Sequence, residues 1–297
     1  MSSQNEEIDR MNYQSPQSVK EAVGLLNADK NAYVLAGGTD LLVRLRFGQI
    51  MPSVIVDIKK IDGMRTITQE GNRFRIGAAV SGAEISEHPD LCAAWPGVVE
   101  AIDLIGSTQI QGRATAVGNL CNAGPAADAV PALVAAGAVV QIFGPNGARE
   151  VPVEDIPVGP GQTSLEQGEL VTSLFLPVPS ANCADAYLRF IPRTEMDIAV
   201  VGCAVSLAVD DGGTIVQARV SLGAVAPTVL LIKEAANAII GTLLDDAALD
   251  ALSAAASAAA NPITDKRGTI AFRKDVSGVL ARRAAKIAYS RATGEKK

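Results

Sequence analysis

Val34-Leu35-Ala36-Gly37-Gly38-Thr39-Asp40, and further along Thr115-Ala116-Val117-Gly118-Asn119 leading into Pro125-Ala126-Ala127-Asp128, are the stretches on which the reading turns. Each runs from a short apolar strand or turn into glycines, a hydroxyl residue and a carboxylate ahead of a helix. That order brings backbone N–H groups up to a diphosphate. Glycines at 37 and 38 admit positive φ and remove the Cβ that would hold a phosphate away. Thr39 can cap the helix continuing through Leu41 while offering its hydroxyl, and the helix dipole adds ~0.3–1 kcal/mol. Alone, this segment fits a tight strand-to-helix turn without a ligand equally well. In the second, Arg113, Thr115, Gly118 and Asn119 offer donors ahead of a helix starting near Pro125. Asp128 then falls in its first turn, either as a helix charge or as an acceptor for a ribose or flavin ring group. Together the two segments predict a dinucleotide clamped from both sides.

The bulk numbers narrow the class. A chain of 297 residues has room for two domains and a substantial core. Its 48% hydrophobic and 20% charged residues are those of a globular protein, and 4% aromatics argue against stacking platforms for single-stranded nucleic acid. The net charge is −6, yet Thr264 to Lys297 holds ten Lys/Arg against three Asp/Glu. A basic helix on an acidic body reads as a solvated face or a subunit contact, with no nucleic-acid partner expected. Cys92, Cys121, Cys183 and Cys203 form no Cys-x-x-Cys pair, and His88 is the single histidine, so a zinc or iron–sulfur ligand set is lacking. The cysteines read as small buried hydrophobes in a reducing compartment. His88-Pro89 reads as a structural loop or helix end. Met1 to Gln17 is polar, and the uncharged run Ala129 to Ala148 is broken by Pro131, Gly137, Gly144, Pro145 and Gly147. It predicts a buried helix then a strand, so a cytoplasmic protein with no membrane span is expected.

The patterning predicts helices from Ser18 to Ala28, from Thr39 with Leu41, Leu42 and Leu45 inward, from Gly97 to Ile105 and from Ala126 to Ala136. Strands are expected at 33–35, 53–58, 65–68, 73–78, 139–143 and 169–176. Pro177-Val178-Pro179-Ser180 reads as a domain boundary. Beyond it come strands at 186–190, 198–209 and 214–222, with Asp210-Asp211-Gly212-Gly213 as a hairpin turn. Helices at 228–240, 247–260 and 270–292 complete an α+β second domain.

Ala36-Gly37-Gly38-Thr39-Asp40, followed by Arg113-Ala114-Thr115, Gly118-Asn119-Leu120-Cys121-Asn122-Ala123 and Pro125 to Asp128, resembles the FAD-binding medium subunit of molybdenum hydroxylases. Glu169 to Pro177, Tyr187 to Phe190, Arg193 and Met196 to Ala199 resemble it too, in family order and over nearly the whole chain. The resemblance implies an α+β protein. A two-lobed vanillyl-alcohol-oxidase (PCMH-type) FAD-binding domain, two α/β lobes over 1–178, is followed by a smaller C-terminal domain of antiparallel sheet plus helices over 183–292. It implies that Val34 to Leu41 and Thr115 to Asn119 hold the FAD pyrophosphate, and that Asp128 and the backbone near Val171 hold other parts of the cofactor. It further implies that Arg189 is a cofactor ligand, at a position where the family usually has lysine, and that the residue at Ile198 lies against the isoalloxazine. Where the family has two adjacent glycines before the asparagine, this chain has Val117-Gly118, so the Val117 side chain must point away from the diphosphate.

The implied function is electron transfer within a heterotrimer. The resemblance implies a large subunit carrying the molybdenum cofactor and a small one carrying two [2Fe–2S] clusters, assembled with this chain as a dimer of heterotrimers. FAD on this chain passes electrons to an external acceptor, with no catalytic acid or base required of the chain. The same residues also admit a stand-alone flavin oxidoreductase or a non-redox nucleotide-binding scaffold.

Overall fold

The computed structural model describes residues 11–193 and 196–294. The charged stretch Glu6 to Arg10, together with Thr194, Glu195, Lys296 and Lys297, lies outside the described residues. The chain opens with β1 (Asn12–Gln14), α1 (Val19–Ala28), β2 (Ala32–Leu35), α2 (Leu41–Arg46) and β3 (Val54–Asp57). Ser18 caps α1 by accepting the Glu21 N–H at 3.2 Å, and Ala22, Val23 and Leu26 face inward as the spacing predicts. The three strands form a parallel sheet in the order β1-β3-β2. β1, with three residues, was too short to show a period. The expectation for α2 needs correction: it starts at Leu41, none of its residues is buried, and Leu42 is 45% exposed. The helix lies along the rim of a cleft, so Leu41 and Leu45 are only half-buried.

The second lobe contains β4 (Ile67–Glu70), β5 (Arg73–Gly77), α3 (Gly82–Ser86), α4 (Pro89–Ala94), α5 (Pro96–Asp103) and α6 (Thr108–Gln111). α7 (Ala116–Cys121), α8 (Ala129–Ala135), β6 (Val139–Gly144), β7 (Gly147–Pro152), β8 (Pro157–Gly159), β9 (Gln162–Thr163) and β10 (Leu170–Pro177) follow. Its sheet runs β4-β5-β10-β6-β7, antiparallel throughout, so only the first lobe has a parallel α/β sheet. His88 caps α4, its Nδ1 accepting the Leu91 N–H at 3.4 Å, which is a structural role. α8 is buried along its whole length, as its uncharged composition requires. It begins after Asp128 and not near Pro125. The preceding turn is drawn onto the second domain, where the Pro125 carbonyl accepts the Ala224 N–H at 2.8 Å and the Asp128 side chain finds its partners.

The second domain comprises β11 (Cys183–Phe190), β12 (Val201–Val209), β13 (Ile215–Gly223), β14 (Leu230–Leu231), α9 (Lys233–Asn237), α10 (Asp246–Ala259) and α11 (Ile270–Ala292). The sheet is antiparallel in chain order. β12 is buried along its length because α11 covers one face and α8 of the preceding lobe meets the other. Two corrections apply here. The strand expected from Ile198 starts at Val201, and the helix expected from Thr228 starts at Lys233. Leu230 and Leu231 instead pair with β13, whose edge would otherwise carry unpaired backbone groups.

Candidate functional site

Leu35 ends β2 buried, and the next residues turn out of the sheet into a cleft of about 430 Å3. Ala36 to Leu41 line one wall with Val34; Thr115, Val117, Gly118 and Asn119 line another. Leu170 and Val171 of β10 supply a third. The two glycine segments touch. A Cβ on Gly37 would lie 1.9 Å from the Arg113 carbonyl oxygen, so glycine is required there by the second segment as well as by any ligand. Gly38 has φ +82°, open to glycine at no steric cost. Asn122 Nδ2 donates to Asp40 Oδ1 at 3.3 Å, a further tie between the walls.

The first segment presents free donors. Among the described residues, the N–H groups of Gly37, Gly38 and Thr39 meet no backbone acceptor. Thr39 does not cap α2; Asp40 holds the N-cap position and makes no side-chain capping bond. The second segment differs from expectation, because it is itself a helix start. Thr115 caps α7, and its Oγ1 accepts the Gly118 N–H at 2.8 Å, so that donor is already engaged. Asn119 is partly engaged too: its N–H goes to the Thr115 carbonyl and its Oδ1 accepts the Ala129 N–H at 3.2 Å. The Val117 N–H, in the first turn of α7, meets no backbone acceptor among the described residues. The Val117 side chain is 6% exposed and packs in the main core, which is how the chain accommodates valine where a glycine was expected.

A bulge at Thr172 shifts the register between β10 and β6, next to Val171. Bulges at such places re-aim the backbone beside a site. Here the Thr172 hydroxyl is tied to the Gln141 carbonyl at 3.2 Å, leaving Val171 at the cleft wall.

Five expected residues lie off the cleft lining. Leu35 and Ala116 are buried behind it. Asp128 and Arg189 pair with each other at 2.7 Å, and the Tyr187 hydroxyl donates to the same carboxylate at 3.0 Å. Burial pushes the Asp128 pKa up to about 6, against the pull of Arg189 and Tyr187. Arg189 also donates to the Leu104 carbonyl, next to Ile105 in the cleft wall, while its Nε is buried with no partner among the described residues. Ile198 is 51% exposed on the connection into β12. Sequence reasoning missed Ile105, Asn122, Thr163 and Arg44 as lining residues. Arg44, one turn into α2, carried a signal as a cation following a diphosphate-type loop, and Asn122 stood inside the matching motif.

Residues 9–179 match the family described as the FAD binding domain in molybdopterin dehydrogenase. The chain belongs to that family. Residues 186–288 match the CO dehydrogenase flavoprotein C-terminal domain. The carbon monoxide dehydrogenase medium chain of Afipia carboxidovorans is 35% identical over 94% of this chain and 97% of its own length. The putative xanthine dehydrogenase FAD-binding subunit XdhB of Escherichia coli is 29% identical over 97% and 99%. A solved carbon monoxide dehydrogenase chain from Hydrogenophaga pseudoflava superposes with a TM-score of 0.91 at 33% identity, covering 95% of this flavoprotein-family chain and 98% of its own.

Proposed function

We propose that this chain is the FAD-carrying electron-transfer subunit of a molybdenum hydroxylase. The observation that carries the reading is the cleft itself. Unengaged N–H groups at Gly37, Gly38 and Thr39, a positive-φ glycine and a second helix N-terminus at Val117 converge on one space. Such a cradle fits a diphosphate, and the residues present therefore fit FAD. Gly37 to Thr39 and Val117 hold the diphosphate, and Ile105 and Val171 supply apolar walls for a ring. The buried Asp128–Arg189 pair and Ile198 serve the flavin end.

Bound FAD supplies the chemistry of accepting and releasing electrons. The chain's own work is to bind it, orient it and exclude water. Medium-chain relatives of this length belong to enzymes with further subunits, which supports a large molybdenum-cofactor subunit and a small subunit with two [2Fe–2S] clusters as partners. The small subunit delivers electrons and an external acceptor removes them, within a dimer of heterotrimers in the cytoplasm. No described helix is long and apolar enough to cross a membrane. Domain limits of 1–178 and 183–292 place the boundary between β10 and β11.

The test is an absorbance spectrum of the purified full chain. A flavin band, with FAD released on denaturation, is the expected result. A colourless protein that cannot be reconstituted with FAD would sink the proposal.

A further inference from the structure

Asp57 closes β3 and caps the short turn that follows, accepting the Lys59 N–H at 3.0 Å. The Lys59 side chain folds back: its Nζ lies 2.8 Å from Asp57 Oδ1 and donates to the Ala36 carbonyl at 3.0 Å. The Tyr13 hydroxyl, from β1, donates to the other oxygen of Asp57. A chain of polar contacts thus runs from the outer strand, through the end of the central one, to the loop after β2. The parallel register makes this possible, since Leu35 sits opposite Asp57 and each strand leaves the sheet at the same level.

We propose that Lys59 is a positioning residue for the dinucleotide diphosphate, holding the Ala36–Gly37 peptide so that its N–H stays available to the ligand. The inference rests on the FAD reading above. In a planar trans peptide the carbonyl and the N–H point in opposite directions. Lys59 draws the Ala36 carbonyl toward itself and so fixes the Gly37 N–H pointing away from it. The Gly38 carbonyl accepts the Leu42 N–H at 3.0 Å and so orients the Thr39 N–H, and among the described residues Lys59 supplies the hydrogen bond to the Ala36 carbonyl that does the same for the Gly37 N–H. The two glycines make an external restraint necessary, because their backbone has many accessible conformations. Lys59 also sets a positive charge behind the loop. Burial works against the Asp57 carboxylate, but hydrogen bonds from Lys59 and Tyr13 outweigh it and keep its pKa below the ordinary range, so the lysine's counter-ion stays charged. Lys59 is 28% exposed but its partner Asp57 is buried, so the lysine also supports the fold, while the Tyr13 hydroxyl and the Lys59 N–H bond the same carboxylate independently of the lysine side chain. The positioning role itself is read in the ligand affinity of the folded chain.

The experiment uses the full chain stripped of flavin and titrated with FAD and, separately, with ADP, which carries the diphosphate without the flavin. Lys59→Met should weaken both ligands by the same factor, roughly ten- to a hundredfold, the range of a hydrogen bond to a charged group. The titrations are made well below the variant's ligand-free melting temperature, so that affinity is read on folded chain, and Lys59→Arg should restore part of the affinity. Unchanged FAD affinity, or loss for FAD but not ADP, would overturn the assignment. Should Lys59→Met not fold, Tyr13→Phe carries the test: several-fold weaker FAD and ADP binding supports the role, and wild-type affinity overturns it. A wild-type chain that binds no FAD would fail the parent reading instead.

Discussion

Single residues in the cleft are constrained by the protein before any ligand arrives. Gly37 has no room for a side chain because the Arg113 carbonyl occupies the Cβ position. Gly37→Ala should separate the two walls, cost about 1–3 kcal/mol as overpacking does, and abolish FAD retention. Urea unfolding beside a flavin assay of the purified variant checks both effects, and full FAD content would remove Gly37 from the site. Gly118 is constrained differently: a Cβ would lie 2.8 Å from the capping oxygen of Thr115. Asp128 carries a third constraint. Asp128→Ala leaves Arg189 buried without its carboxylate, so stability should drop by about 3–5 kcal/mol, the cost of breaking a buried pair from one side. Asp128→Asn should retain more of it. Denaturant melts of the two variants rank them, and equal stability would mean the pair contributes nothing. The glycine patterns and Asp128 were legible in the sequence, but the partners of Asp128 were not. Tyr187 and Arg189 lie about sixty residues away and reach it only because β11 packs under the first domain.

Elements show where local pattern suffices and where it fails. α1, α10 and α11 were readable because their capping residues and periodicity lie within the segment. α7 was not, because a helix of six residues offers too little period to detect. Thr115→Ala should cost about 1 kcal/mol through the lost cap, free the Gly118 N–H and loosen the second wall. A thermal melt paired with FAD titration tests this, and unchanged values in both would refute it. α5 starts without a cap of its own. Its first N–H groups, at Gly97 and Val98, donate at 2.9 Å to the carboxylate of Asp185 on β11 of the other domain. Burial pushes the Asp185 pKa up to about 7, while those N–H groups and Arg291 oppose it. A carboxyl raised above its unfolded value binds more protons in the folded state, so its contribution to stability falls as pH rises from about 4 to about 7. Asp185→Asn removes that titration. Unfolding free energies measured at pH 5 and pH 8 should therefore move toward the variant's favour at the higher pH. A pH-independent difference would show that the carboxyl does not titrate in this window.

At the scale of the whole molecule there are two cores, joined by the packing of α8 on β12 and by polar contacts. The first spans both lobes of the N-terminal domain, and the second fills the space between the C-terminal sheet and α9 to α11. The Gly97 and Val98 N–H groups donate to Asp185 across the domains, and Arg291 reaches both the Asp185 carbonyl and Glu100. Part of the basic excess at the C-terminus is engaged inside the chain: Arg273 is buried on the Val200 and Ala224 carbonyls, Arg282 pairs with Asp250, and Arg291 with Glu100. Free polyanions should accordingly bind weakly, and titration with short duplex DNA at physiological salt should show no saturable binding. What the sequence determined by itself was whatever depends on neighbours along the chain: the α+β class, the Ser18 cap of α1, the hairpin turns and the glycine segments. Those follow from φ/ψ restriction, periodicity and short-range hydrogen bonds. Tertiary structure alone decided that Gly37 meets Arg113, that Lys59 clamps Ala36, that Val117 turns into the core and that Asp185 caps a helix of the other domain. Each of those is a contact between segments far apart in sequence, and packing settles such contacts only once both segments have been placed.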